Sequence, residues 1–372
     1  MNIGPDMLAL LKQARDLGAS DLLLAAGSPP SVYVHARLQA LPGQPLTPAG
    51  ARALIDQMLD EKLTRHLEQC RDVDFSLGHP QIGRCRVNAH YQRNTVAAAV
   101  RLVNDEIPDF AGLNLPDIMR EFAGWPRGLV LITGGTGSGK STTLAAILNQ
   151  INHHAAAHII TLEDPIEYAF KNVRSVIEQR EIGSDSPSFA DALRHVVRQK
   201  PDVIMIGEMR DLETIRTAIT AAETGHLVLA SLHTINAAQT IERIIDVFEP
   251  NQQPQVRLQM AGALRAIACQ TLLASADGSS VVPAVEILMN TPAISRAIRD
   301  GETHLITGMI ETGANRGMQT LDAAIFTLLQ QQRITREDAL AKALDPERLE
   351  RMLERGRGKT LAAAGPGSKP WE

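Results

Sequence analysis

The stretch "GGTGSGKST", Gly134-Gly135-Thr136-Gly137-Ser138-Gly139-Lys140-Ser141-Thr142, constrains the fold of this chain more than any other. It fills the pattern G-x-x-x-x-G-K-[ST], with the apolar run "GLVLIT" before it and the helical pattern "STTLAAILNQIN" after it. Glycines let a backbone curl until several N–H groups point at one anion, and the amino end of the following helix adds its dipole. Lys140 is placed to neutralise β- and γ-phosphates, and the Ser141 hydroxyl to ligate Mg²⁺. A glycine-rich turn without a ligand is the bland alternative. The strand before and the helix after argue against it, so ATP and Mg²⁺ are the expected cofactors. Strand, phosphate loop and helix in that order commit this part of the chain to an α/β fold.

The surrounding texture agrees. From Pro116 onward, "GLVLIT", "HIITLE", "DVIMIGE" and "HLVLASL" alternate with helical patterns. Such Val-, Ile- and Leu-rich runs suit central parallel strands covered on both faces. Before Val103, "DLLLAAG", "SVYVHARLQAL", "VDFSL", "GRCRVNAHYQ" and "TVAAAVRLV" read as strands of a small mixed sheet, flanked by helices at 5–17 and over "TPAGARALIDQML". With 372 residues, two domains are expected. The boundaries read as 1–103 for an α+β N-terminal domain, 104–115 for a Pro-containing linker and 116–290 for the nucleotide domain. A helical C-terminal region at 291–355 and a disordered tail at 356–372 complete the division.

Composition excludes several classes. Formal net charge is −5 and no Lys/Arg block stands out, so no nucleic-acid track is expected. No apolar run approaches the ~20 residues of a spanning helix, and no secretory leader is evident, so no membrane insertion is expected and a cytoplasmic location is. Cys70, Cys85 and Cys269 never pair as C-x-x-C, which predicts buried reduced thiols and no zinc. His153, His154 and His158 cluster near a helix end without a carboxylate or thiol to complete a ligand set.

Hydrolysis needs more than a phosphate site. An acid must position or activate water, and a cation must meet the developing charge. "HIITLEDPIEY" ends a strand with Glu163, and "PDVIMIGEMRD" does so with Glu208, Gly207 standing where the metal-binding strand usually carries Asp. Either acid alone could cap a helix. Two of them at strand ends, in the sheet that carries the phosphate loop, point to chemistry, since ligands of open α/β sheets collect at those ends. "AETGHLVLASLHTINA" adds His233 at the end of another strand, placed to sense a γ-phosphate or couple neighbouring subunits.

These four segments, in this order, resemble the secretion-ATPase superfamily: the phosphate loop, "LEDPIEY", "LRHVVRQKPDVIMIGEMRD" and "AETGHLVLASLHTINA". Within it the chain is similar to PilT/PilU-type motors that retract type IV pili, from about residue 5 to about 355. The resemblance implies a RecA-like C-terminal ATPase domain joined by a flexible linker to a PAS-like N-terminal domain. It implies a homo-hexameric ring on the cytoplasmic side of the inner membrane, acting on a pilus platform protein. It makes Glu163 the general base, places Glu208 in the Mg²⁺ shell through water, and puts His233 near the γ-phosphate. Arginines of the N-terminal domain are implied to reach nucleotide bound by a neighbour. Arg86 and Arg101 fit best by position, with Arg93 a third candidate. Fifteen residues apart, Arg86 and Arg101 fall on opposite faces by strict strand alternation unless a bulge or turn intervenes.

The chain departs from the motor pattern in two places. "AISRAIRDG" at 293–301 stands for the usual "AIRNLIREG", and "CQTLL" at 269–273 for "SQRLL", whereas "GMQTLD" at 317–322 is intact. Three alternatives stay open on sequence: an accessory retraction ATPase, an assembly or type II secretion motor, and a nucleotide-dependent binding module with little turnover. The second usually carries a tetracysteine zinc subdomain, absent here. A small-molecule kinase fits worse, because nothing resembles an acceptor lid.

Overall fold

In the computed structural model, which describes residues 3–34, 37–103 and 107–363, the chain divides into two units. The first comprises Met1–Ile107 and Ile166–Lys171, and the second Pro108–Pro165 and Asn172–Glu372.

The first unit is built on strands β1 (Asp21–Leu24), β2 (Ser31–Val34), β3 (Arg37–Ala40), β4 (Asp72–His79), β5 (Gly83–Gln92) and β6 (Thr95–Leu102). They run in the order β3-β2-β1-β6-β5-β4 with every pairing antiparallel, so the sheet is not mixed. Short hairpins permit only antiparallel neighbours, whereas parallel pairs need long crossovers. "SVYVHARLQAL" is accordingly two strands, β2 and β3, paired from Val34↔Arg37 to Ser31↔Ala40. Helix Pro5–Asp16 buries Met7, Leu11 and Ala14 in a core with Leu22, Leu24, Val87 and Val100. Each such large aliphatic side chain contributes about 1.5–3 kcal/mol when fully buried. Helix Pro48–Asp56 starts as its sequence foretells: the Thr47 side chain accepts from the Gly50 N–H, with Pro48 at the first position.

The second unit carries β7 (Gly128–Thr133), β8 (His158–Glu163), β9 (Val176–Glu181), β10 (Val203–Ile206), β11 (Leu227–Leu232), β12 (Leu264–Ala274) and β13 (Val281–Met289). Their order is β13-β12-β7-β11-β10-β8-β9. All neighbours are parallel except the β12–β13 hairpin, which makes this sheet the mixed one. The four apolar runs of the sequence are β7, β8, β10 and β11, and they lie side by side. Every residue of β7, β10 and β11 is buried, as a centre covered by helices on both faces requires.

Other expectations need amendment. Within the linker, Phe110–Leu113 forms a short helix capped by Asp109, whose carboxylate accepts from the Gly112 N–H. Beyond residue 290 the chain is helical, but helix Pro346–Ala363 runs through the first part of the expected tail. Residues 364–372 of that tail lie outside the described residues. All three cysteines are free, yet Cys70 is exposed and only Cys85 and Cys269 are buried. His153 and His154 sit at the carboxyl end of helix Lys140–His154 and bond the carbonyls of Asn149 and Gln150. Among the described residues, no helix is long and apolar enough to cross a membrane.

Candidate active site

The phosphate loop leaves β7 at Thr133 and enters helix Lys140–His154 directly. Gly134 takes φ +146, and a Cβ there would meet the Gln270 carbonyl oxygen at 2.2 Å and the Ser138 hydroxyl at 2.5 Å. Only glycine lets the loop pass this close to β12. The Ser138 hydroxyl is buried without a hydrogen-bond partner. Gln270 also braces the helix that follows the loop, its side-chain carbonyl accepting from Thr143 Oγ1 at 2.8 Å. Lys140 is only 9% exposed, and its ammonium donates to the carbonyls of Gly134 at 3.0 Å and Gly135 at 2.9 Å. A cation bonded to the loop carbonyls, with an unpartnered buried hydroxyl in the same loop, suits an incoming anion.

Lys140 also begins a polar chain along the sheet edge. Its Nζ lies 3.5 Å from His233 Nδ1, and His233 Nε2 lies 3.2 Å from Glu208 Oε1. An ammonium has no acceptor, so His233 Nδ1 accepts and Nε2 carries the proton toward Glu208. Arg210 Nε reaches the same carboxylate oxygen at 2.6 Å. Burial pushes the Glu208 carboxyl up, but Arg210 and His233 outweigh it and hold the group below its ordinary value of 4.5. The Glu208 carboxylate in turn raises the Arg210 guanidinium, with Asp164 adding at longer range.

Glu163 ends β8 and is 7% exposed. Its Oε1 accepts from Thr161 Oγ1 at 2.5 Å and from Gln179 Nε2 at 3.0 Å, Gln179 being the β9 register partner of Thr161. These bonds fix one oxygen of the carboxylate. Gly207 explains why the neighbouring strand lacks its usual acid. A Cβ there would lie 3.1 Å from the Leu162 carbonyl and 3.4 Å from Glu163 Cα, so any side chain would crowd the backbone that aims Glu163.

Lys140, His233, Glu208 and Glu163 therefore follow or end β7, β11, β10 and β8, four adjacent parallel strands, all at the carboxyl edge. That edge is where ligands of open α/β sheets bind. Gly135, Thr136 and Gly137 form the exposed crest of the loop, and Gly139, Ser141 and Thr142 the part-buried entry to the helix. Among the described residues, no group of three or more His, Cys, Asp or Glu forms a ligand set for a metal.

The N-terminal arginines are placed otherwise than alternation suggests. The β5–β6 hairpin turns at Arg93 and Asn94, with φ 46 and 60, and pairs Arg86 directly with Arg101. Register partners share a face, so the two arginines lie together rather than opposed. Both are exposed, and Arg101 Nε bonds Asp21 of β1 at 2.9 Å. Arg93 occupies the turn itself. Arg210, Gln179 and Gln270 escaped the sequence reading. Arg210 carried a signal, standing two residues beyond Glu208; Gln179 and Gln270 depend on strand order, which the sequence does not display.

Comparison with known proteins now adds the family. The model of the type II/IV secretion system protein family matches residues 111–344. The chain belongs to that family. It is a nucleotide-binding, phosphate-loop ATPase within it. It is 41% identical to the type IV pilus ATPase PilU of Pseudomonas aeruginosa over 93% of this chain and 91% of the relative. It is also 41% identical to the type IV pilus retraction ATPase PilT of that organism, over 92% of this chain and 99% of the relative. A crystal structure of the pilus retraction motor PilT with bound ADP matches with a TM-score of 0.87 and 46% identity, covering 92% of this chain and 98% of that one.

Proposed function

We propose that this chain is a ring-forming motor that hydrolyses ATP to power type IV pilus retraction and so twitching motility. The convergence of Lys140, His233, Glu208 and Glu163 on one sheet edge carries the proposal. Kinship to PilT and PilU supplies the direction of work. The same kinship supports a RecA-like reading of the second unit, a PAS-like reading of the first, and a homo-hexamer. It also supports a cytoplasmic site of action at an inner-membrane platform protein.

The loop from Gly134 to Thr142 holds the phosphates, and Lys140 turns from the loop carbonyls to the β- and γ-phosphates. Glu163, positioned at the sheet edge by its bonds from Thr161 and Gln179, acts on water as general base. Mg²⁺ suits the hard oxygen donors of Ser141 and Glu208, and when bound it would neutralise charge on the phosphates. His233, already between Lys140 and Glu208, registers whether the γ-phosphate is present. Arg86 and Arg101 share one exposed strand face and supply positive charge to a neighbour's nucleotide.

An accessory role in retraction is the second reading, because "AISRAIRDG" and "CQTLL" depart from the motor pattern. A steady-state phosphate-release assay on Glu163→Gln tests the chemistry common to both. The variant keeps nucleotide binding and loses turnover by about 10²–10⁴-fold, as removal of a general base does. Parental turnover would remove Glu163 from the role.

A further inference from the structure

Glu286 is a buried carboxylate that the hydrolytic chemistry leaves unused. It lies on β13, 3% exposed, in a row across the sheet with Cys269 of β12 and Thr133 of β7. Thr133 is the residue before the phosphate loop, so the row runs from the base of that loop to the far side of the sheet.

The carboxylate meets one helix beginning directly and stands beside the approach to a second. Its Oε1 accepts from the Ala237 N–H at 2.7 Å, and the next residue of β13, Ile287, exchanges backbone bonds with Gln319, two residues before Leu321. Ala237 opens helix Ala237–Asp246, four residues after His233, and Leu321 opens helix Leu321–Gln330. Both helices already have caps: Asn236 accepts from the Gln239 N–H, and Thr320 from the Ala323 N–H. Glu286 is therefore not replacing a missing cap. It satisfies a further orphan donor at the Ala237 end and places negative charge where that helix dipole favours it. Burial pushes its carboxyl above the ordinary range, and Asp322 adds to that, while the Ala237 N–H bond pulls the other way. An acid kept in so unfavourable a place has its geometry tightly specified.

The two helices lead to different parts of the molecule. The first is tied to the His233 loop by the Thr234–Thr240 hydroxyl pair at 2.7 Å, and to the C-terminal region by Thr303, which donates to Glu242 at 2.6 Å. The second emerges from "GMQTLD", where Gln319 exchanges backbone bonds with Ile287 of β13 at 2.8 and 3.2 Å. Its Asp322 carboxylate accepts from the N–H groups of Leu344 and Asp345.

We propose that Glu286 is a positioning residue that couples the nucleotide edge to the C-terminal helical region by holding the amino end of helix Ala237–Asp246 on β13, beside the Ile287–Gln319 pairing that leads into helix Leu321–Gln330. Displacement of His233 pulls Ala237, and Glu286 transmits that movement along β13 to Ile287 and Gln319, and from there to Leu321 and, through Asp322, to residues 344–345. The coupling rests on the reading of the phosphate loop as the nucleotide site.

Hydrogen–deuterium exchange on the full chain, with and without ADP or a slowly hydrolysed ATP analogue, tests it. Nucleotide binding is followed separately by titration with a fluorescent ATP analogue. In the parent, nucleotide changes exchange across 318–330 by about fivefold or more, the lower end of typical coupling between sites. Glu286→Gln, which keeps an acceptor and removes the charge, binds nucleotide as the parent does and melts near the parental temperature, but loses that remote change. Binding with unaltered exchange at 318–330 in the parent overturns the coupling alone. No binding at all overturns the nucleotide reading and the coupling with it. Remote exchange in Glu286→Gln that still follows nucleotide, or affinity and melting temperature falling together, also overturns it. If Glu286→Gln does not fold, the parent's response at the Leu321 amide decides.

Discussion

Replacing Gly134 by alanine tests the geometry of the loop with a built-in control. The added methyl would stand 2.2 Å from the Gln270 carbonyl oxygen, where ordinary contact begins at 3.4 Å. β12 cannot retreat, because β7 and β13 bond it on both sides. The loop must move instead. Holding a non-glycine residue at this φ alone costs about 1–3 kcal/mol, and the overlap adds to it. At about 1.4 kcal/mol per factor of ten, nucleotide affinity falls by about 5- to 140-fold from the strain alone. Gly262→Ala, outside the loop, is the control: its Cβ meets nothing within 4 Å and its φ lies outside the left-handed region. A substitution in open space usually stays within about 0.5 kcal/mol, roughly twofold in affinity. Titration with a fluorescent ATP analogue reads both variants, and a thermal melt confirms that each is folded. Equal affinities for the two would refute the account of how Gln270 and Gly134 shape the site.

Two further outcomes follow from the site. Mixing Glu163→Gln chains with Arg101→Ala chains should restore part of the lost phosphate release, because some interfaces then hold one intact set; activity equal to the average of the inactive parents would count against an arginine acting in trans. Glu208 is held below 4.5 in the fold, so its ion pair with Arg210 and its hydrogen bond from His233 stabilise the protein above about that pH and cease to as pH falls through the lower folded value. The melting-temperature gap between parent and Glu208→Gln should therefore narrow on acidification below pH 4.5, and a constant gap would contradict the pairing with Arg210 and His233.

The parts of the fold legible in sequence are those where burial leaves a continuous apolar run. β7, β10 and β11 are buried throughout, and their sequences read as little else. β9 reads "VIEQRE" because it is an edge strand with exposed positions, and nothing in its pattern separates it from a loop. β12 follows helix Gln253–Ala263 without a break, so no turn residue marks the change of period. The pairing of Arg86 with Arg101 was within reach. Both are equidistant from the Arg93–Asn94 turn, and a two-residue hairpin with positive φ at both positions pairs residues symmetrically about itself. Alternation along a single strand was the wrong rule across a turn. At the candidate site the four segments are legible because each follows or ends an apolar strand. Their supports, Gln179, Gln270 and Glu286, were not, because each acts from a strand whose neighbour only the folded sheet reveals.

Adding and removing pilin subunits can use the same catalytic groups, so direction of work is the central claim. It is tested most directly by deleting the gene in the bacterium that carries it, then counting surface pili and recording twitching. The account predicts pili that assemble, in parental or greater number, with twitching impaired and restored by the parent gene but not by Glu163→Gln. Loss of surface pili in the deletion strain would contradict it and assign the chain to assembly instead.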